Sequence, residues 1–115
     1  MLRIRHETLD DARLFHLDGT VTTVEASFLK REVRNAIAAG VGSIIFDLTE
    51  VDLVDSTGLG SLVALHKSAL AAGARLHLRG MQSNVRAVVE LARLHRVLSL
   101  LPDDAPVGSV PAERS

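Results

Sequence analysis

One change of period near the middle of the chain constrains the fold more than anything else in it. Residues Ser43 to Gly60 read SIIFDLTEVDLVDSTGLG. Ile44, Ile45, Phe46 and Leu48, broken only by Asp47, form the short apolar run expected of a strand covered on both faces in a parallel sheet. Val51, Leu53 and Val54 carry the chain on to Asp55-Ser56-Thr57-Gly58-Leu59-Gly60. Beyond that turn, Leu59, Leu62, Val63, His66 and Leu70 fall on one face of a helix. Ser56 and Thr57 therefore lie at a helix N-terminus, and any chemistry is expected at that turn.

The flanks fit the same architecture. Leu2 and Ile4 alternate with Arg3 and Arg5, the pattern of a half-exposed strand near a sheet edge. Asp10-Asp11 is a turn signal, and Ala12 to Leu17 reads as a second strand ending at Asp18-Gly19, so the chain opens with a hairpin. Thr22-Thr23-Val24-Glu25 matches a capping box that starts a helix. Its apolar stripe is Ala26, Leu29, Val33, Ala36 and Ile37, and Gly40 and Gly42 stop it. After the central helix, Gly73 is a C-terminal cap. Arg75 to Arg79 then alternates as a strand with one exposed face, on which Arg75, His77 and Arg79 form a solvated trio. Ser83 or Asn84 can cap a third helix with Val85, Val88, Val89 and Ala92 as its buried stripe. Leu94, Val97, Leu98, Leu100 and Leu101 suit a last short strand or a docked segment. The expected fold is a small α/β domain whose later strands are parallel through right-handed crossovers. Pro102, Pro106 and Pro111 sit among Asp, Gly, Ser and Ala, so residues 102–115 are expected to be a disordered tail.

Composition removes several classes of function. A chain of 115 residues with 47% hydrophobic residues is one domain with a real core, and the lack of cysteine rules out disulfides and thiolate metal sites. A net charge of -1 gives no general attraction to nucleic acid or anionic membranes. No apolar run nears the roughly 18 residues that span a bilayer, and MLRIRHETLDD lacks the apolar core of a signal peptide. A cytoplasmic protein is expected. His6, His16, His66, His77 and His95 show no paired ligand spacing, so no metal is expected. His66 reads as a hydrogen-bonded residue at the core boundary.

Three chemistries can be tested against the central turn. Gly58-x-Gly60 follows a strand and opens a helix, but Val63 stands where the third glycine of a dinucleotide fingerprint belongs, and Arg75 and Arg79 occupy the region of its acidic partner. A serine-hydrolase elbow fails because Val54, not glycine, precedes Ser56 by two positions. Phosphorylation suits the site. A phosphate on Ser56 would add about -1.5 to -2 charges at the positive end of a helix, which the fold tolerates. Beside Asp55, the same charge would repel a closely packed partner, and a few kcal/mol changes affinity by about 100-fold or more. Simple capping by Asp55, Ser56 or Thr57 is the bland alternative.

LDGTV at 17 to 21, the run from Ile44 to Gly80 and NVRAVVELARLHRVLSL after it together resemble the STAS domain of bacterial anti-sigma factor antagonists. The resemblance covers about residues 1–101, and its most specific part is Asp-Ser-Thr-Gly-Leu-Gly, the family's phosphorylation motif. It implies a STAS-like single domain at 1–101, with a mixed, mostly parallel sheet of four or five strands and helices packed against it. It also implies a partner switch without enzymatic activity or cofactor. The unphosphorylated protein binds an anti-sigma factor, itself a serine kinase, and frees a sigma factor. Phosphorylation of Ser56 releases the kinase, and a phosphatase resets the cycle. Asp55, Ser56, Thr57, Gly58 and Thr22 would form the partner-binding surface. The chain departs from the family at Thr20-Val21-Thr22, where Glu-x-Asp is common and its Asp lies near the kinase-bound nucleotide, and in the proline-bearing tail that replaces a C-terminal helix. Similar domains also serve as non-switching accessory or scaffold subunits of transporters and stress-signalling complexes, the alternative reading.

Overall fold

A computed structural model describes residues 2–91 and 99–100 of the chain. Among the described residues, five strands form one sheet in the order of the chain: β1 (Leu2–Leu9), β2 (Ala12–Val21), β3 (Ser43–Val54), β4 (Arg75–Arg79) and β5 (Ser99–Leu100). Only β1 and β2 are antiparallel; each later strand joins in parallel. The connections contain α1 (Thr23–Ala38), α2 (Ser56–Ala71) and α3 (Ser83–Leu91).

The opening hairpin turns at Asp10-Asp11, where Asp10 takes a left-handed conformation (φ 50°). Asp11 then ties that turn to the loop before β3. Its carboxylate accepts from the Gly42 amide at 2.8 Å, and its carbonyl accepts from the Gly42 and Ser43 amides at 3.0 Å. The register of β3 beside β2 is thus fixed at its first residue.

One face of the sheet carries the core. Phe15 and Leu17 of β2, Ile44, Phe46 and Leu48 of β3, and Leu76 and Leu78 of β4 alternate inward. They meet Leu29, Val33 and Ala36 of α1, Leu59, Leu62, Leu65 and Ala69 of α2, and Val85 and Val89 of α3. Phe15 meets Phe46 edge-on, with ring centres 5.8 Å apart. Each leucine, isoleucine, valine or phenylalanine side chain among them that is fully removed from water contributes about 1.5–3 kcal/mol of transfer free energy.

Several sequence expectations need correction. Strand β2 does not end at Asp18-Gly19 but continues to Val21, with irregular pairing between His16 and Asp18 and between Gly19 and Thr20. Gly19 adopts φ 122°, so the dipeptide that reads as a turn is a bulge. On α2, Leu65 and Ala69 are buried while Leu70 is exposed, so the stripe is rotated from the expected one. The Arg75, His77 and Arg79 trio is not a solvated face: β4 lies between β3 and β5, His77 is only 3% exposed, and Arg79 is half-buried against Asp47. Neither Ser83 nor Asn84 flanks α3 as its cap. Gln82 holds that position, its carbonyl accepting from the Arg86 amide at 2.8 Å. The Asn84 side chain instead donates to the Asp52 carbonyl at 2.8 Å. Val88 is exposed. The expected last strand is β5; Ala92, Leu94, His95, Val97, Leu98, Leu101 and the tail from Pro102 lie outside the described residues.

Candidate functional site

The pairing of β2 with β3 ends at Val21 and Val54. The next residue on each strand is a helix N-cap, Thr22 for α1 and Asp55 for α2. Two helices therefore begin side by side at the C-terminal edge of two parallel strands, where open α/β sheets place their sites. The Asp55 amide donates to the Val21 carbonyl at 3.4 Å, joining the two starts.

Each cap is made by a different device. At α1, the Glu25 carboxylate accepts from the Thr22 amide at 3.0 Å and from the Thr22 hydroxyl. The Thr22 hydroxyl, its chief cause, holds the Glu25 carboxyl below the usual carboxylate range. At α2, one oxygen of Asp55 accepts from the Gly58 amide at 2.7 Å and from the Thr57 hydroxyl at 2.8 Å. The Gly58 amide first and the Thr57 hydroxyl second hold the Asp55 carboxyl below its usual range, so it stays ionised.

The two neighbouring hydroxyls are consequently unlike. Both Ser56 and Thr57 are exposed. That of Thr57 is committed to Asp55, whereas among the described residues that of Ser56 has no hydrogen-bond partner. Gly58 is buried: a Cβ there would lie 2.1 Å from the Val21 carbonyl oxygen. Its lack of a side chain lets the start of α2 press against the end of β2.

Of the five residues expected at this surface, Thr22, Asp55, Ser56, Thr57 and Gly58, the fold brings all to one edge. Three exposed apolar residues there were not singled out in the sequence: Val24 and Phe28, one helical turn apart on α1, and Leu53, paired with Thr20 at the end of β3. The available signal was that Val24 and Phe28 fall off the buried stripe of their helix. Among the described residues, no group of histidines and carboxylates is arranged to hold a metal ion. Nor is any helix there long and apolar enough to cross a membrane. His66 is buried as expected, but its Nδ1 has no hydrogen-bond partner among the described residues.

A mixed, mostly parallel sheet built outward in chain order, with two helix starts and the Ser56 and Thr57 hydroxyls at one edge, defines a small α/β domain. Residues 3–105 match the family model of the STAS domain, and the chain belongs to that family. Its fold is similar to that of a Thermotoga maritima protein assigned as a candidate anti-sigma factor antagonist (23% identity, TM-score 0.75, 84% of each chain covered). It is also similar to an anti-sigma factor antagonist from Mycobacterium paratuberculosis (19% identity, TM-score 0.74, 87% of this chain and 85% of that one). A third is the Bacillus anti-sigma factor antagonist SpoIIAA in its unphosphorylated form (19% identity, TM-score 0.72, 87% of each chain). At these identities the likeness is one of fold.

Proposed function

We propose that this protein is an anti-sigma factor antagonist switched by phosphorylation of Ser56. Unphosphorylated, it binds an anti-sigma factor with serine kinase activity and so releases a sigma factor in the cytoplasm. Phosphorylated, it lets the kinase go until a phosphatase restores it. The observation that carries this reading is the difference between the paired hydroxyls: Ser56 is exposed and, among the described residues, without a partner at the first position of α2, while Thr57 is held by Asp55. Membership of the STAS family and the fold of SpoIIAA, solved in both phosphorylated and unphosphorylated forms, support it.

The physical basis of the switch is a charge placed where the fold accepts it and a partner does not. The positive end of α2 stabilises a Ser56 phosphate by roughly 0.3–1 kcal/mol at an exposed site. A partner that packs on Val24, Phe28 and Leu53 while facing ionised Asp55 meets two negative groups in place of one. Thr22 and Glu25 lie on the same edge, Thr22 standing where the family often carries a carboxylate. Gly58 serves by letting this edge close up.

Affinity capture from native lysate tests the proposal, with Ser56→Ala, Ser56→Asp and phosphorylated wild-type protein as baits. Ser56→Ala should retain an ATP-binding anti-sigma factor that the phosphoprotein loses, with Ser56→Asp following the phosphoprotein. Retention of the same transporter or scaffold subunits by all three baits would reject the switch and make Ser56 a passive first residue of α2.

A further inference from the structure

Helices α1 and α2 start at the same edge of the sheet and share one core on the same face of it, so they run alongside each other. Between them, on their outer side, lies a groove of about 330 Å³. Ala26 and Lys30 of α1 form one wall and Ser61, Ala64 and Ser68 of α2 the other, with Leu65 at the floor. The groove begins near the helix starts, where the Ser61 hydroxyl donates to the Thr57 carbonyl at 2.9 Å. From Thr57 to Ser68 the helix rises about 16 Å, or three turns.

The charges around this groove are sorted. Lys30 and Arg34 are exposed one turn apart along its α1 side, with exposed Arg31 beside them. Glu25 and Glu32, the two carboxylates of α1, fall on the other flank of that helix, across the buried stripe of Leu29, Val33 and Ala36. On α2, exposed Lys67 is the only lysine, arginine, aspartate or glutamate from Ser56 to Ala71. Among the described residues, none of these four basic side chains has an ion-pair partner. A chain of net charge -1 thus carries a groove to which neither flanking helix brings a carboxylate.

We propose that this groove seats an acidic helix of a partner protein. Both walls are helices whose backbone groups are bonded within themselves, so they offer an extended peptide no edge to pair with. An incoming helix brings its own backbone already satisfied. The small alanine and serine walls let its axis approach closely, and Leu65 gives it an apolar contact. Carboxylates on its two flanks meet Lys30 and Arg34 on one side and Lys67 on the other, a complementarity that sets partner and orientation. This docking needs neither a phosphate on Ser56 nor a kinase, so it and the switch can fail separately.

The test titrates the full-length, unphosphorylated protein with a stapled helix of about 15 residues, long enough to span the groove, that carries glutamates on both flanks of a leucine-alanine stripe. Saturable amide NMR shifts should centre on residues 26–34 and 61–68 and weaken as salt rises. Combining Lys30→Glu with Arg34→Glu, both at exposed positions, should weaken binding by about tenfold or more and should let the protein accept the same helix with lysines in place of glutamates. Ala64→Arg separates seating from mere attraction, because it adds a positive charge but fills the groove; binding should weaken by about tenfold. Unchanged or tighter binding by Ala64→Arg overturns the assignment, as do shifts centred on Arg3 and Arg5 of β1 or no saturable shift at all. Vesicles of phosphatidylglycerol form the last arm: if they shift the same amides, and Ala64→Arg leaves that response intact, the surface faces anionic lipid and the helix assignment is overturned.

Discussion

Gly58 and Asp55 hold the start of α2 by opposite means, one by having no side chain and the other by turning its carboxylate back onto the first turn. Replacing Gly58 with alanine sets a methyl group against the Val21 backbone, which cannot rotate away as a flexible side chain could. The expected cost is about 1–3 kcal/mol, read as a lower urea midpoint with an unchanged slope. A midpoint equal to wild type would mean that the two helix starts are less tightly joined than their geometry implies. The motif itself was legible in the sequence. Which of Asp55, Ser56 and Thr57 acts as the cap was not, because all three residue types cap helices well and only geometry distinguishes them. The same limit applied at Gln82, which holds the cap position of α3 although the better capping residues Ser83 and Asn84 follow it.

Strands β3 and β4 are held together by Asp47, on the face of the sheet turned away from Phe46 and Leu78. It accepts from Arg79 Nη2 at 3.2 Å and Nε at 3.3 Å, and from the Thr49 amide at 2.9 Å. Burial acts to raise the Asp47 carboxyl, but the Thr49 hydroxyl and amide together with Arg79 outweigh it and keep it below its usual range. Asp55 and Glu25 are lowered as well. A carboxyl lowered by folding stabilises the native state above its unfolded value and loses that contribution as pH falls through its folded value. Thermal stability should therefore hold from neutral pH down to about pH 5 and fall below about pH 4. Asp47→Ala should cost about 1–3 kcal/mol at neutral pH, by loss of the shared acceptor, and should flatten part of that acid decline. An acid profile unchanged by Asp47→Ala would remove this pair from the account. Strand β4 also marks where alternation stops being informative. Arg-Leu-His-Leu-Arg reads as one wet and one dry face, and nothing in five residues reveals that β4 lies between β3 and β5 with His77 buried. Gly19 misled in the reverse way, since a bulge and a turn use glycine for the same positive φ.

For the whole molecule, the strongest sequence signals were the change of period after Val54 and the three helical stripes, which decide the class of fold. They arise from burial on one face, which is a property of the entire layer and survives local errors. Packing should show the same grading. Phe46→Ala removes a fully buried ring at the centre of the core and should cost about 3–5 kcal/mol, whereas Leu91→Ala at the exposed end of α3 should stay within about 0.5 kcal/mol of wild type. Paired denaturant melts would measure both, and comparable losses would contradict a single core on the helical face. At the outer edge, β1 carries the exposed Arg3, Arg5 and Glu7, the charges by which sheets discourage unwanted strand addition.

The spatial order of the strands repeats their order in the chain, so no strand has to be threaded between two that precede it. During synthesis from the N-terminus, the hairpin of β1 and β2 can form first, and each strand that emerges later finds its edge already made. Assembly can keep pace with translation, leaving little sticky surface waiting for a distant partner. The edge that carries Thr22, Asp55 and Ser56 would be complete once α2 has left the ribosome, before β4 and β5 have joined the sheet.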